Sequence, residues 1–289
     1  PVAHLEAGLR SFDRAMPEEI NRLVTDAIAD LLWTPSPDAD ENLKREGVPL
    51  ERIDRVGNIM IDSLEMLRQR IEAANEAQRL SLPKGGYGIV TLHRPANVDN
   101  PANLALAVER LREVATSLPL VFPIHPRTRD RLAQFDLLNR LQEISNIRLL
   151  PPLGYIQFMS LIFDAALAIT DSGGIQEETT YLGIPCVTLR PNTERPITVT
   201  EGTNRLATID ELVDAVGRAI EHAKSRANPP SLWDGRTAER VARSIDVPVI
   251  AVSEDMSVIT VYVGESKAVL LPPTDLVFRA NQALQTLER

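Results

Sequence analysis

Leu167-Ala168-Ile169-Thr170-Asp171-Ser172-Gly173-Gly174-Ile175-Gln176-Glu177-Glu178 is a strand, a glycine turn and the opening of a helix. The apolar run ends at Thr170, and helical periodicity resumes at Ile175. Glycines let a backbone approach a ligand closely, and a helix N-terminus offers unpaired N–H groups to an anion. Ser172 adds a hydroxyl donor, and Glu177 and Glu178 fall in the first turn, where one can accept from ribose hydroxyls. A Ser-Gly-Gly turn alone would read as a tight turn with acids placed for the helix dipole. The whole string points to a nucleotide-diphosphate site.

The same alternation runs outward in both directions. Strand candidates are 87–92, 118–124, 147–150, 165–170 and 184–189, and helical segments lie near 100–116, 128–138, 157–163 and 175–181. Strands alternating with helices predict βαβ units in an α/β, doubly wound parallel sheet. Toward the start, Ile20, Leu23, Val24, Ala27, Ile28, Leu31 and Leu32 share one helical face, with Pro17 at the first position and Glu18 and Glu19 in the first turn. Further helices are expected from Pro37 to Gly47 and from Ile59 to Ala77. Beyond Asn228-Pro229-Pro230 the pattern changes: a helical stretch over 235–245, β-rich runs at 247–252 and 257–263, and a last helix from about Asp275.

Composition narrows the function classes. The 289 residues suggest about two domains. With 31 Lys and Arg against 40 Asp and Glu, the formal charge of −9 argues against general binding to nucleic acid or an anionic membrane. Aromatics at 4% are too few for base-stacking platforms. One cysteine, Cys186, excludes an internal disulfide and fits a reducing compartment. The four histidines show no close metal-ligand spacing, and no apolar stretch is long enough to span a bilayer.

Ligands of open α/β sheets bind beyond the carboxyl ends of the strands. His93 and Arg94 follow one run; His125, Arg127 and Arg129 follow another; Asp171, Ser172, Gly173 and Gly174 follow a third. His4, Glu6 and Arg10 surround the chain's opening apolar residues. The Pro-bounded loop 191–196, with Arg190, Glu194 and Arg195, suits either a phosphate or sugar clamp or a surface ion pair.

Several strings together carry a resemblance. His4-Leu5-Glu6-Ala7-Gly8-Leu9-Arg10, Met16-Pro17-Glu18-Glu19-Ile20-Asn21-Arg22, Val56-Gly57-Asn58, Thr91-Leu92-His93-Arg94, His125-Pro126-Arg127, Asp171–Glu178, Thr193-Glu194-Arg195-Pro196 and Glu201-Gly202-Thr203-Asn204 resemble the non-hydrolysing UDP-N-acetylglucosamine 2-epimerases, in order and spacing, over about residues 1–242. The resemblance implies a GT-B-like fold of two Rossmann-like domains, a UDP-sugar substrate, no metal or other cofactor, a homodimer, and a cytoplasmic role in cell-envelope polysaccharide synthesis. By motif match, Glu6, Glu18 and His93 would be catalytic. Arg10, His125, Ser172, Gly173 and Gly174 would hold the diphosphate region, Glu178 the ribose, and Phe158 would pack near uracil; Arg94, Arg127 and Arg195 would complete the substrate contacts.

Two departures from the family pattern set further expectations. The first domain reads as incomplete: residues 1–56 as a remnant of the N-terminal domain, 57–235 as the UDP-binding domain and 236–289 as a tail. The tail, through 236–242, 247–253 and 279–289, resembles the end of the nucleotidyltransferase domain of DNA-integrity-scanning diadenylate cyclases, without that family's catalytic segments. The alternatives are a UDP-binding fragment without turnover, a GT-B glycosyltransferase and, last, a diadenylate cyclase.

Overall fold

The computed structural model describes residues 1–222, 228–245, 249–253, 258–263 and 266–270. The chain opens with β1 (Ala3–Leu5), α1 (Pro17–Ile28), β2 (Leu31–Thr34), α2 (Pro37–Arg45) and β3 (Ile53–Arg55). These strands form a three-stranded parallel sheet in the order β1-β2-β3. Next come α3 (Ile59–Ala74), α4 (Glu76–Arg79), β4 (Gly88–Thr91), α5 (Pro95–Val98), α6 (Pro101–Ala115), β5 (Leu120–Pro123), α7 (Pro126–Gln134), α8 (Leu138–Gln142) and β6 (Ile147–Leu150). They are followed by α9 (Tyr155–Phe163), β7 (Leu167–Thr170), α10 (Gly173–Leu182), β8 (Cys186–Leu189), α11 (Ile197–Thr200), β9 (Asn204–Ala207), α12 (Leu212–His222) and α13 (Thr237–Ile245). β10 (Val249–Ser253), β11 (Val258–Val263) and β12 (Ser266–Leu270) make an antiparallel meander.

The second sheet has six parallel strands in the order β6-β5-β4-β7-β8-β9. The chain builds outward from β4 in one direction, then returns to build from β7 in the other. A doubly wound sheet has its ligand crevice where that reversal occurs, here between the carboxyl ends of β4 and β7. Successive strand residues face opposite sides. Val90, Phe122, Ile169 and Leu189 pack toward α6 and α12, while Ile89, Val121, Ala168 and Cys186 pack toward α3 and α9. Both faces are buried, which explains the near-continuous apolar runs.

The expected strands of this sheet are all present, shortened by up to three residues. β2, β3 and β9 were not anticipated; they are short and carry polar residues such as Thr34, Asp54 and Asn204. The helix expected over 59–77 is split at Asn75, whose φ of 46° is left-handed and starts α4. The last helix expected from Asp275, with residues 279–289, lies outside the described residues.

The first helix departs most from expectation. It ends at Ile28, and Leu31 and Leu32 belong to β2. Ile20, Val24 and Ile28 are 37%, 55% and 67% exposed, whereas the buried residues of α1 are Glu19 and Asp26. The reason is the loop between β1 and α1, whose backbone N–H groups need acceptors. Glu19 accepts from the N–H groups of Ser11 and Phe12, at 2.9 and 3.0 Å, and Asp26 accepts from Gly8 at 3.0 Å.

α13 is tied to the body of the fold. Val241 packs with Trp33 and Val56, and Ala238 and Ala242 pack against Ile59. Its N-terminus is capped by Asp62 of α3, which accepts from Thr237 N at 3.0 Å and Ala238 N at 2.8 Å. Replacing Asp62 by Ala leaves two buried donors without that acceptor, which costs about 1–3 kcal/mol. Urea unfolding of D62A should show a lower midpoint with an unchanged slope; an unchanged midpoint refutes the cap.

Candidate active site

Asp171 stands at the reversal of the six-stranded sheet and is fully buried. Its carboxylate accepts from the backbone N–H of His93 (3.0 Å) and of Arg94 (2.9 Å) and from the Asn97 side-chain amide (3.1 Å). The His93 Nδ1 lies 2.9 Å from Asp171 Oδ1. Burial alone would raise the Asp171 carboxyl; the His93 and Asn97 side chains and the Arg94 N–H outweigh it and hold it below the ordinary carboxylate range. His93 remains 39% exposed, and its ring faces that of His125 at 5.5 Å between centroids. Arg94 donates through Nε to the Asp171 carbonyl at 2.9 Å. Burial lowers the affinity of the Arg94 guanidinium for its proton, and nearby Arg190 lowers it further.

The glycine bend follows directly. Ser172 caps α10 without a side-chain capping bond, so its hydroxyl stays available to a ligand. A Cβ on Gly173 would come within 2.9 Å of Arg195 Nη1 and of Glu194 Oε1, whereas one on Gly174 would meet nothing within 4 Å. A side chain at 173 would therefore have to displace the tips of Arg195 and Glu194, and Gly174 faces open space. The loop 193–195 is locked by Gln176, whose Oε1 accepts from Thr193 (2.7 Å) and Asn204 (2.9 Å).

Glu177 and Glu178 are both buried, with different partners. Glu177 accepts from Asn58 Nδ2 at 2.8 Å and pairs with Arg195 Nε at 2.6 Å, off hydrogen-bond alignment. Burial pushes its carboxyl up to about 7, Arg195 opposing and the Glu6 charge adding to the rise. Glu178 accepts from the Tyr155 hydroxyl at 2.8 Å, and burial raises it to about 7 as well. Glu194 goes the other way: burial would raise it, but Arg195 and Arg190 hold it down at about 2.

The smaller sheet brings its own groups to the same place. Glu6 follows β1 with a left-handed φ of 68° and a buried Oε1 that has no partner. Its charge acts on both Glu177 and Arg195. Glu18, in the first turn of α1, acts on Arg94, and Arg22 reaches Glu194 at 3.8 Å. Glu6 thus acts on the Glu177–Arg195 pair beside Gly173, and Glu18 on Arg94 beside Asp171.

Two expected site residues, Arg10 and Arg127, sit differently. Arg10 is a correction: its side chain is 1% exposed, with Nη2 2.7 Å from both Asp26 and Glu46, Nε on Glu46 and Nη1 on the Leu9 carbonyl. A guanidinium so occupied braces the opening loop and has no fork to offer a diphosphate. Arg127 is exposed and bonds Asp99 beside Arg131, at the outer rim. Phe158 lies half-buried on α9, one turn from Tyr155, which places it on the Glu178 side. Sequence reasoning missed Asn58, Asn97, Tyr155 and Gln176 as site-building residues, although Asn58 and Gln176 stood in quoted motifs. Arg190 adds a buried Nη1 without a partner. Among the described residues, no three His, Cys, Asp or Glu side chains gather as a metal site.

Comparisons with known proteins agree with this geometry. Residues 1–246 match the family model described as UDP-N-acetylglucosamine 2-epimerase. The UDP-N-acetylglucosamine 2-epimerase of Methanocaldococcus jannaschii is 42% identical over 250 residues, 84% of this chain and 68% of the relative. The UDP-2,3-diacetamido-2,3-dideoxy-D-glucuronate 2-epimerase of Pseudomonas aeruginosa is 40% identical over 253 residues, 84% of this chain and 67% of the relative. A crystal structure of the Methanocaldococcus jannaschii epimerase in complex with UDP-GlcNAc and UDP superposes with a TM-score of 0.76 at 41% identity, over 84% of this chain and 68% of that one.

The raised Glu178 has a measurable consequence. The folded chain keeps a proton on Glu178 up to about pH 7, while the unfolded chain releases it near 4.5. Between those values folding is linked to proton uptake, so stability falls as pH rises, by on the order of 3 kcal/mol from this group. Urea midpoints at the two ends of that window should differ less in Glu178→Gln than in the wild type; an equal pH dependence refutes the assignment.

Proposed function

The chain belongs to the UDP-N-acetylglucosamine 2-epimerase family, and from that premise we propose that it interconverts UDP-N-acetylglucosamine and UDP-N-acetylmannosamine. The observation that carries the reading is the convergence of Glu6 and Glu18 from the smaller sheet with His93 and the Ser172–Gly174 bend from the larger one.

The chemistry follows from the substrate. Carbon 2 bears an acetamido group and has no adjacent carbonyl, so its proton is not acidic. Breaking the bond from carbon 1 to the diphosphate builds positive character next door and makes that proton removable. UDP leaves, a 2-acetamidoglucal remains enclosed, and UDP adds back with the proton returned to the other face. In this proposal the bend, Ser172 and Arg195 steady the departing diphosphate. Glu6, Glu18 and His93 take and return the proton, Glu178 receives the ribose hydroxyls, and Phe158 packs near the uracil. Arg94 and His125 line the diphosphate side.

The Pseudomonas relative supports a second reading of substrate, a UDP-sugar with an amidated carbon 3 and a carboxylate at carbon 6. The same carbon-2 chemistry would serve both, so the substituents alone decide between them. We further propose a homodimer acting in the cytoplasm and supplying cell-envelope polysaccharide synthesis; no helix among the described residues is long and apolar enough to cross a membrane. The division into 1–56, 57–235 and 236–289 and the cyclase-like character of the tail are likewise proposals. The family match ends at residue 246, before the antiparallel meander.

The test is incubation of the chain with UDP-N-acetylglucosamine in D2O, followed by NMR. The expected result is UDP-N-acetylmannosamine with deuterium at carbon 2 of both sugars; no exchange and no second sugar would sink the proposal, and turnover of the glucuronate analogue alone would select the second reading. Glu6→Gln and Glu18→Gln should each lower turnover about 100-fold or more, with UDP affinity changed by less than about threefold on the 1.4 kcal/mol-per-decade scale. The Ser172→Ala, Glu178→Ala double variant should instead weaken UDP binding in calorimetry by roughly 10–100-fold.

A further inference from the structure

We infer that Asp171 is the positioning residue for His93, fixing the imidazole as the Nδ1–H tautomer so that a bare Nε2 lone pair faces the cleft. The inference deepens the proposed function, since it rests on His93 acting as an acid–base group there.

Donors and acceptors around the ring decide its tautomer. A neutral imidazole carries one N–H and one lone pair, and which nitrogen holds the proton is set by its partner. An ionised carboxylate only accepts. Asp171 Oδ1, 2.9 Å from His93 Nδ1, therefore requires the proton on Nδ1. The carboxylate is itself immobile, because it is fully buried and held by the His93 and Arg94 N–H groups and the Asn97 amide. Those backbone bonds also tie it to the residue whose ring it orients. The ring is 39% exposed, so Nε2 is the nitrogen left for a substrate. A proton arriving at Nε2 uses that lone pair and gives an imidazolium facing Asp171, which gains no proton; the return step restores the starting tautomer.

The oxygens of Asp171 are not equivalent, and the difference makes the inference testable. Oδ2 takes Arg94 N, the Asn97 amide and the shorter of two bonds from His93 N, at 3.0 Å, while Oδ1 faces the ring and takes the longer bond from His93 N, at 3.2 Å. In Asp171→Asn the amide oxygen is needed on the Oδ2 side, which turns the NH2 toward His93 Nδ1. Nδ1 must then accept, and the proton moves to Nε2. The outward lone pair is lost while the ring stays in place.

Long-range proton–nitrogen NMR on the nitrogen-labelled full chain, about two pH units above the ordinary imidazole value of about 6.5, reads the tautomer directly. His93→Gln identifies the His93 signals. The wild type should show a protonated Nδ1 and a bare Nε2, and D171N should reverse the two. Turnover of D171N should fall about 100-fold or more in kcat, with UDP affinity in calorimetry unchanged within about threefold. An Nε2–H tautomer in the wild type, or an unchanged tautomer in folded D171N, overturns the inference. If D171N does not fold, the wild-type spectrum decides. A wild-type chain without turnover but with the Nδ1–H tautomer would defeat the proposed epimerase reading and leave the positioning of His93 standing.

Discussion

Burial of charge at the join between the two sheets constrains everything around the cleft. Arg190 and Glu194 are 5% and 2% exposed, and Glu177 is 1% exposed. A buried ion costs several kcal/mol unless it is paired with good geometry. Here Arg190 pairs with Glu194 at 2.7 Å, and Arg195 bridges Glu194 and Glu177 at 2.6 Å each. The chain continues through Asn58, which caps α3 while donating to Glu177. Removing one member would strand the others, so the wall of the cleft is held by mutual dependence. Gly173 lies against that wall: its backbone is not left-handed, and a side chain there would have to displace the paired tips of Arg195 and Glu194.

The same join sorts the carboxylates by proton affinity. Glu194 sees two guanidinium groups and stays ionised at about 2, while burial and the Glu177 charge raise Glu178 to about 7 against the Tyr155 hydroxyl. Environments that push neighbouring acids apart let one site hold donors and acceptors together near neutral pH. For a reaction that removes a proton and later restores it, such a mixture is more useful than a uniform set of anions. Asp171 is held below the ordinary carboxylate range and Glu178 is raised to about 7, although only seven positions separate them.

The sequence made the larger sheet legible because both of its faces are buried. Runs such as Gly88–Leu92 and Leu120–Ile124 have no other good use than central parallel strands, and the residues after them lie at the crevice by topology alone. It was poorer where local pattern and tertiary role diverge. β2 and β3 are short and partly polar. Arg10 lies in a motif with a catalytic look, but motif membership does not say whether a guanidinium faces substrate or braces a loop; Asp26 and Glu46, distant in sequence, decide that. Asn97 and Tyr155 carried no local signal, since their roles exist only through contacts with Asp171 and Glu178.

The inverted first helix is the clearest case of function overriding pattern. An amphipathic helix ordinarily buries its apolar stripe, yet α1 turns Glu19 and Asp26 inward and leaves Ile20, Val24 and Ile28 exposed. The loop it covers holds Glu6 and Phe12 at left-handed φ values of 68° and 60°. Non-glycine residues in that region cost of order 1–3 kcal/mol and persist only where the surroundings over-determine them. Glu19 and Asp26 are those surroundings: they take the N–H groups of Gly8, Ser11 and Phe12, and Asp26 also engages His4 and Arg10. Ion pairs and strained backbone at the loop thus fix the direction in which Glu6 leaves β1. A helix with the apolar stripe inward would bury more hydrocarbon and would leave that direction unspecified.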